Sequence, residues 1–198
     1  MPSPDADAAR EPAAPTILFL GTSLTAGLGI DPDEAYPALI QKKIDAAGLR
    51  YRVVNAGVSG ETSAGALRRI DWLLKKPVAI LVVETGANDG LRGQDPEGVR
   101  ANIQAIFDRA RRQSPPPRLV LAGMEVVTNY GEDYGGRFRR IYAELAKANG
   151  AAFIPFILEG VGGIASLNQP DGVHPTAKGH ERMAENVWTV LRPLLAGS

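Results

Sequence analysis

Beyond residue 15 two hydrophobic rhythms alternate along the chain. The runs Ile17–Leu20, Tyr51–Asn55, Val78–Val83, Leu119–Ala122 and Ala152–Ile157 are short, largely apolar and bounded by glycine or proline. Each is too short for a stable helix, so they read as five strands. Pro155 marks the fifth as weak or as an edge strand, because proline has no N–H to give to a ladder. Between them apolar residues return every three or four positions, the period of one helix face. Leu39, Ile40 and Ile44 follow Pro37 and stop at Gly48; Leu67, Ile70 and Leu74 form the next stripe. Asp95-Pro96-Glu97 is a capped helix start ahead of Val99, Ile103, Ile106 and Ala110, and Ser114-Pro115-Pro116-Pro117 ends that helix. Phe138, Ile141, Tyr142 and Leu145 predict a fourth helix, and Met183, Val187, Val190 and Leu194 a fifth.

Strands alternating with helices predict a three-layer α/β/α fold of flavodoxin-like type, with a five-stranded parallel sheet covered on both faces. The chain shows no internal repeat. Residues 16–198 read as one domain, and residues 1–15, rich in Pro, Ala and Asp, as a flexible tail. That tail lacks the apolar segment of a signal peptide. It reads either as an ordinary tail or as what remains after an export signal is removed.

Composition narrows the chemistry. At 198 residues there is room for one well-buried core. Lys+Arg and Asp+Glu both number 22, so no net charge draws the chain to nucleic acid or anionic lipid. Cysteine is absent, which excludes disulfides, thiolate catalysis and iron–sulfur clusters. The only histidines are His174 and His180, so a three-histidine metal site is impossible. No apolar run approaches the ~18 residues of a membrane helix. No cofactor and no metal are expected.

In a parallel α/β sheet, ligands bind beyond the carboxyl ends of the strands. Gly21-Thr22-Ser23, Asn55-Ala56-Gly57 and Glu84-Thr85-Gly86-Ala87-Asn88-Asp89 fall there, and Asp171-Gly172-Val173-His174 precedes the last helix. Neither a phosphate-binding G-x-x-x-x-G-K-[ST] nor a G-x-G-x-x-G follows the first strand, and Ser23 is not in a G-x-S-x-G elbow because residue 25 is Thr. A nucleophile reading does fit. A serine hydroxyl needs a neighbouring base. His174 can be that base, and Asp171, three residues earlier, can orient the imidazole. Ser23 and Gly57 backbone N–H groups and the Asn88 amide are candidate oxyanion donors. Plainer readings stand beside these. Ser23 could be a turn residue, Asn88 an Asx turn, and Gly57 a positive-φ position. His180 reads as scaffold at a solvated helix start. Glu84 and Asp89, without histidine partners, read as loop-fixing acids. Ser59 and Ser63 read as caps for a helix starting near Thr62. Arg92 is open between a contact to a substrate anion and a surface charge.

The four blocks, in this order, resemble the GDSL-type or SGNH hydrolases, most of all the bacterial arylesterase and thioesterase I–lysophospholipase group. Order and spacing agree over residues 16–195, and Asn88-Asp89-Gly90-Leu91-Arg92-Gly93 and Asn129-Tyr130-Gly131 are especially like that group. The family's Asp before the serine is Thr22 here. The resemblance implies a serine esterase acting on aryl or alkyl esters, with acyl thioesters and lysophospholipids as further substrates. It also implies a periplasmic or secreted location, with the cytoplasm left open. Leu24, Leu91, Val126, Val127, Tyr130, Leu158 and Ile164 are expected around the acyl group, on loops that include Gly90–Gln94 and Val126–Gly136. Alternatives are a sugar O-deacetylase or acyltransferase using the same residues, and a non-catalytic module binding a phosphate-bearing ligand. With aromatics at 6% and both tryptophans on predicted helices, no carbohydrate platform is evident.

Overall fold

The computed structural model describes residues 13–125 and 130–196. Its strands are β1 (Thr16–Gly21), β2 (Arg52–Gly57), β3 (Ile80–Val83), β4 (Arg118–Ala122) and β5 (Ala152–Ile154). The helices are α1 (Ser23–Ala26), α2 (Tyr36–Ala46), α3 (Ser63–Leu73), α4 (Ala87–Leu91), α5 (Pro96–Ala110), α6 (Glu132–Asn149) and α7 (Ala177–Leu195). All four strand pairs are parallel, in the order β2-β1-β3-β4-β5. This is the predicted α/β fold. The order reverses between β1 and β3, and the crevice beyond their carboxyl ends is where such sheets bind ligands.

Every residue of β3 is buried, as expected of a central strand covered on both faces. Burying one such aliphatic side chain is worth about 1.5–3 kcal/mol. The edge strand β5 stops at Ile154, before Pro155, so it is shorter than its apolar run. Helix starts follow their caps: Asp95 accepts from Glu97 N–H at 3.2 Å, and Thr62 from Gly65 N–H at 3.3 Å. Ser63 is therefore the first residue of α3 and not its cap. On α7 the buried face is Met183, Val187, Leu191 and Leu195, one position off the predicted stripe at its far end.

Two expectations fail. Tyr130–Gly136 is not all loop, because α6 begins at Glu132; residues 126–129, which hold Val126, Val127 and Asn129, lie outside the described residues, as do residues 1–12 of the tail. His180 is not solvated. It is buried in the first turn of α7, stacks on Tyr36 at a centroid distance of 6.2 Å, and accepts the Tyr36 N–H at Nδ1 (3.1 Å). Burial pushes its pKa down to about 4, so it stays a neutral acceptor that docks α7 on α2.

Candidate active site

β1 ends at Gly21, and the chain turns at Thr22 into the single helical turn α1, which Ser23 opens. Ser23 is buried except for its mouth-facing edge, and its Oγ lies 3.0 Å from His174 Nε2. His174 Nδ1 lies 2.7 Å from Asp171 Oδ2. The three-residue spacing closes a tight turn: Asp171 Oδ1 accepts the N–H groups of Val173 (2.9 Å) and His174 (3.0 Å). Gly172 carries the left-handed backbone this turn needs (φ +71). Hydrogen bonds from the His174 N–H, the His174 ring and the Val173 N–H hold the Asp171 carboxyl down at about 2. A carboxylate only accepts, so Nδ1 carries the imidazole proton and Nε2 is left to accept from Ser23 Oγ–H.

Asn88 sits on α4, a short helix where the sequence suggested only a turn. One hydrogen of its Nδ2 goes to Glu61 O at 3.0 Å, which leaves the other free to face the crevice. The next residue fixes this pose. Asp89 is buried and receives Ser63 N–H (2.8 Å) and Ser63 Oγ (2.7 Å), pinning α4 to the start of α3.

Gly57 is a correction. Its N–H is taken up by Asn55 Oδ1 at 2.9 Å, and it has extended strand backbone, not positive φ. It must be glycine because a Cβ there would lie 2.2 Å from Ala26 N. The glycine the sequence reading missed is Gly60. It stands in left-handed backbone (φ +76) in a turn closed by Glu61 N–H to Val58 O. Among the described residues its own N–H has no acceptor, and the neighbouring Glu61 carbonyl is the one that holds Asn88. Its position before Glu61-Thr62, at the end of the same block, was the available signal.

Ser23, Asn88 and His174 open onto one cavity of about 380 Å³. Its apolar wall includes Leu24, Leu91, Met124, Phe156, Leu158 and Val173. Leu24, Leu91 and Leu158 were expected there, whereas Met124, Phe156 and Val173 were not. Tyr130 does not line it: half exposed, it packs over Gly93 and its hydroxyl reaches Leu91 O at 3.3 Å. Ile164 is exposed outside it. Arg92 donates to Gly60 O at 3.2 Å, so it braces that turn.

Glu84 lies fully buried behind the serine turn. It accepts from Thr22 N–H (2.9 Å), Thr22 Oγ1 (3.0 Å) and Thr25 Oγ1 (2.8 Å). Burial raises its carboxyl to about 7 against the opposing pull of these hydrogen bonds.

An open parallel sheet with a hydroxyl, an imidazole and a carboxylate in line at its switch point, above an apolar cavity, defines an α/β ester hydrolase. Residues 19–182 match the GDSL-like Lipase/Acylhydrolase family, and the chain belongs to it. It is 43% identical over 188 residues to an esterase, TesA, of Pseudomonas aeruginosa, covering 94% of this chain and 92% of that protein. It is 36% identical over 188 residues to the thioesterase 1/protease 1/lysophospholipase L1 of Escherichia coli K12, covering 94% and 88%. Among solved structures, the psychrotrophic esterase EstA from a Pseudoalteromonas species, inhibited by monoethylphosphonate, superposes with a TM-score of 0.85 at 31% identity. That match covers 92% of this chain and 99% of EstA.

Proposed function

We propose that the protein cleaves carboxylic esters, and acyl thioesters of similar shape, through an acyl-enzyme on Ser23. The observation that carries this reading is the 3.0 Å approach of Ser23 Oγ to His174 Nε2 at the wall of an apolar cavity. Ser23 Oγ attacks the acyl carbonyl carbon as its proton passes to Nε2. The carbonyl oxygen becomes an oxyanion facing the Ser23 N–H and the free hydrogen of Asn88 Nδ2. Gly60 N–H, and not Gly57 N–H, completes the set. Asp171 stabilises the imidazolium. As the tetrahedral intermediate collapses, the C–O or C–S bond breaks and the leaving group takes the Nε2 proton. Water then repeats the sequence, and His174 returns the proton to Ser23 Oγ.

The cavity is near the lower end of the roughly 300–1,000 Å³ typical of small-ligand sites, which favours short and medium acyl groups over long ones. A non-catalytic binding module would leave the Asp171–His174–Ser23 chain without a use. The test is a hydrolysis panel of p-nitrophenyl and thioester substrates of increasing acyl length, run beside Ser23→Ala. Wild-type turnover should peak at medium length, and Ser23→Ala should lose about 10⁴-fold or more in kcat. Retained activity in Ser23→Ala would sink the reading.

A further inference from the structure

The one-turn helix α1 is too short to hold its own shape, and its N-cap residue Thr22 makes no side-chain capping bond. Something else must orient the residue that opens it. The packing around Gly21 shows what does. A Cβ at Gly21 would lie 1.9 Å from Thr25 Oγ1 and 2.8 Å from Glu84 Oε2. The glycine thus leaves the space that the Glu84 carboxyl and the Thr25 hydroxyl occupy. Three donors converge on that carboxyl, and they come from the residue before Ser23 and from the residue two after it. Glu84 itself is held in β3–β1 pairing by its N–H to Leu20 O (2.9 Å).

We propose that Glu84 is the positioning residue of the serine turn: its carboxyl holds the Thr22 N–H and the Thr22 and Thr25 hydroxyls, and so aims Ser23 Oγ at His174 Nε2. Glu84 makes no hydrogen bond to Ser23 and acts through its neighbours. The network continues outward. Tyr36 Oη lies 2.7 Å from Thr25 Oγ1, and with the threonine proton directed to Glu84 the phenol is the donor. Tyr36 N–H in turn goes to His180 on α7. A hydroxyl at position 22 suits this arrangement. It donates to the carboxyl, where the aspartate usual in the family would bring a second acid that donates only when protonated.

The inference rests on the acyl-enzyme reading, so the experiment separates the two. Wild type, Glu84→Met and Glu84→Gln are compared in p-nitrophenyl ester kinetics and in the rate of Ser23 labelling by a fluorophosphonate, with the labelled peptide mapped. Methionine fills the space but accepts nothing, whereas glutamine keeps one acceptor oxygen. Glu84→Met should lower kcat and the labelling rate about hundredfold, as a misplaced reacting atom does, with KM within about twofold. Glu84→Gln should recover at least about tenfold of that loss. A remote core variant, Ile106→Ala, destabilised to a similar Tm, should label at the wild-type rate.

If folded Glu84→Met acylates like wild type, or if Met and Gln variants are impaired equally, the positioning role is overturned while the acyl-enzyme reading stands. If wild type is not labelled at Ser23, both fall. Should Glu84→Met not fold, Thr22→Val decides. It should lose about fivefold in kcat, the worth of one hydrogen bond, with KM unchanged, and Thr22→Ser should restore it. Wild-type kcat in Thr22→Val would then overturn the proposal.

Discussion

Asp171 is half exposed, yet three hydrogen bonds converge on its carboxyl. Besides stabilising the imidazolium, it fixes which imidazole nitrogen carries the proton. Asp171→Asn offers an amide that can donate to Nδ1 and so turns Nε2 into the protonated nitrogen. We expect kcat to fall about 10⁴-fold with the fold intact, measured as ester turnover beside a circular dichroism melt. Asn88→Ala should cost about 10²–10³ in kcat, the usual loss of one oxyanion donor. The two glycines of the second block separate cleanly at this scale. Gly57→Ala drives a methyl into the Ala26 backbone and should destabilise by about 2–4 kcal/mol. Gly60→Ala meets nothing within 4 Å and should cost only the left-handed backbone strain of about 1–2 kcal/mol. Urea unfolding of the two variants, read together, checks the order.

At the scale of elements, two buried titratable groups pull stability in opposite directions with pH. Burial holds His180 neutral at a pKa of about 4, below the ordinary 6.5. Its contribution is complete above 6.5 and is lost as pH falls through 4. Burial raises Glu84 from 4.5 to about 7, so the folded state keeps a proton that the unfolded chain releases. That contribution is complete below 4.5 and fades as pH rises through 7. Each full swing is worth roughly 3 kcal/mol. Between about pH 4.5 and 6.5 the two slopes oppose, and the wild type should show a flat stability profile. His180→Gln keeps an acceptor for Tyr36 N–H but removes the titration. Its unfolding free energy should decline as pH rises from 4.5 to 7, measured by urea titration at several pH values. A flat profile in that variant would show that Glu84 does not resist ionisation. The sign of such effects was not readable in sequence. His180 and Glu84 look like any solvated helix start and any loop acid until neighbouring elements close over them.

At the scale of the whole molecule, strands, caps and glycine turns combine to put one crevice at the β1/β3 switch point. The acyl wall comes from five separate places: α1, α4, the segment after β4, the 156–158 turn and the 172–174 turn. Narrowing one of them should change length selectivity. Leu158→Trp is expected to lower kcat/KM for medium-chain esters about tenfold or more while leaving acetate esters within about threefold, because the acetyl group needs only the space beside Ser23. Among the described residues no helix is long and apolar enough to cross a membrane.

What the chain determines alone is local. The 3.6- and 2-residue periods, Asp95 and Thr62 as caps, and the glycines at strand ends are short-range physics, so five strands and the five longer helices were legible within a few residues. The Asp171-Gly172-Val173-His174 turn was legible for the same reason, since its hydrogen bonds lie within three residues. Tertiary structure decided what depends on distant partners. Ser23 and His174 meet across 151 residues, and only the folded sheet makes that 3.0 Å. Gly57 yields its expected donor role to Gly60, because Asn55 takes up the Gly57 N–H and, among the described residues, nothing takes up that of Gly60. Thr22 becomes a donor to a carboxyl 62 residues away. Such contacts are set by how helices close over a parallel sheet, and a pattern along the chain carries no record of which side chains that closure brings together.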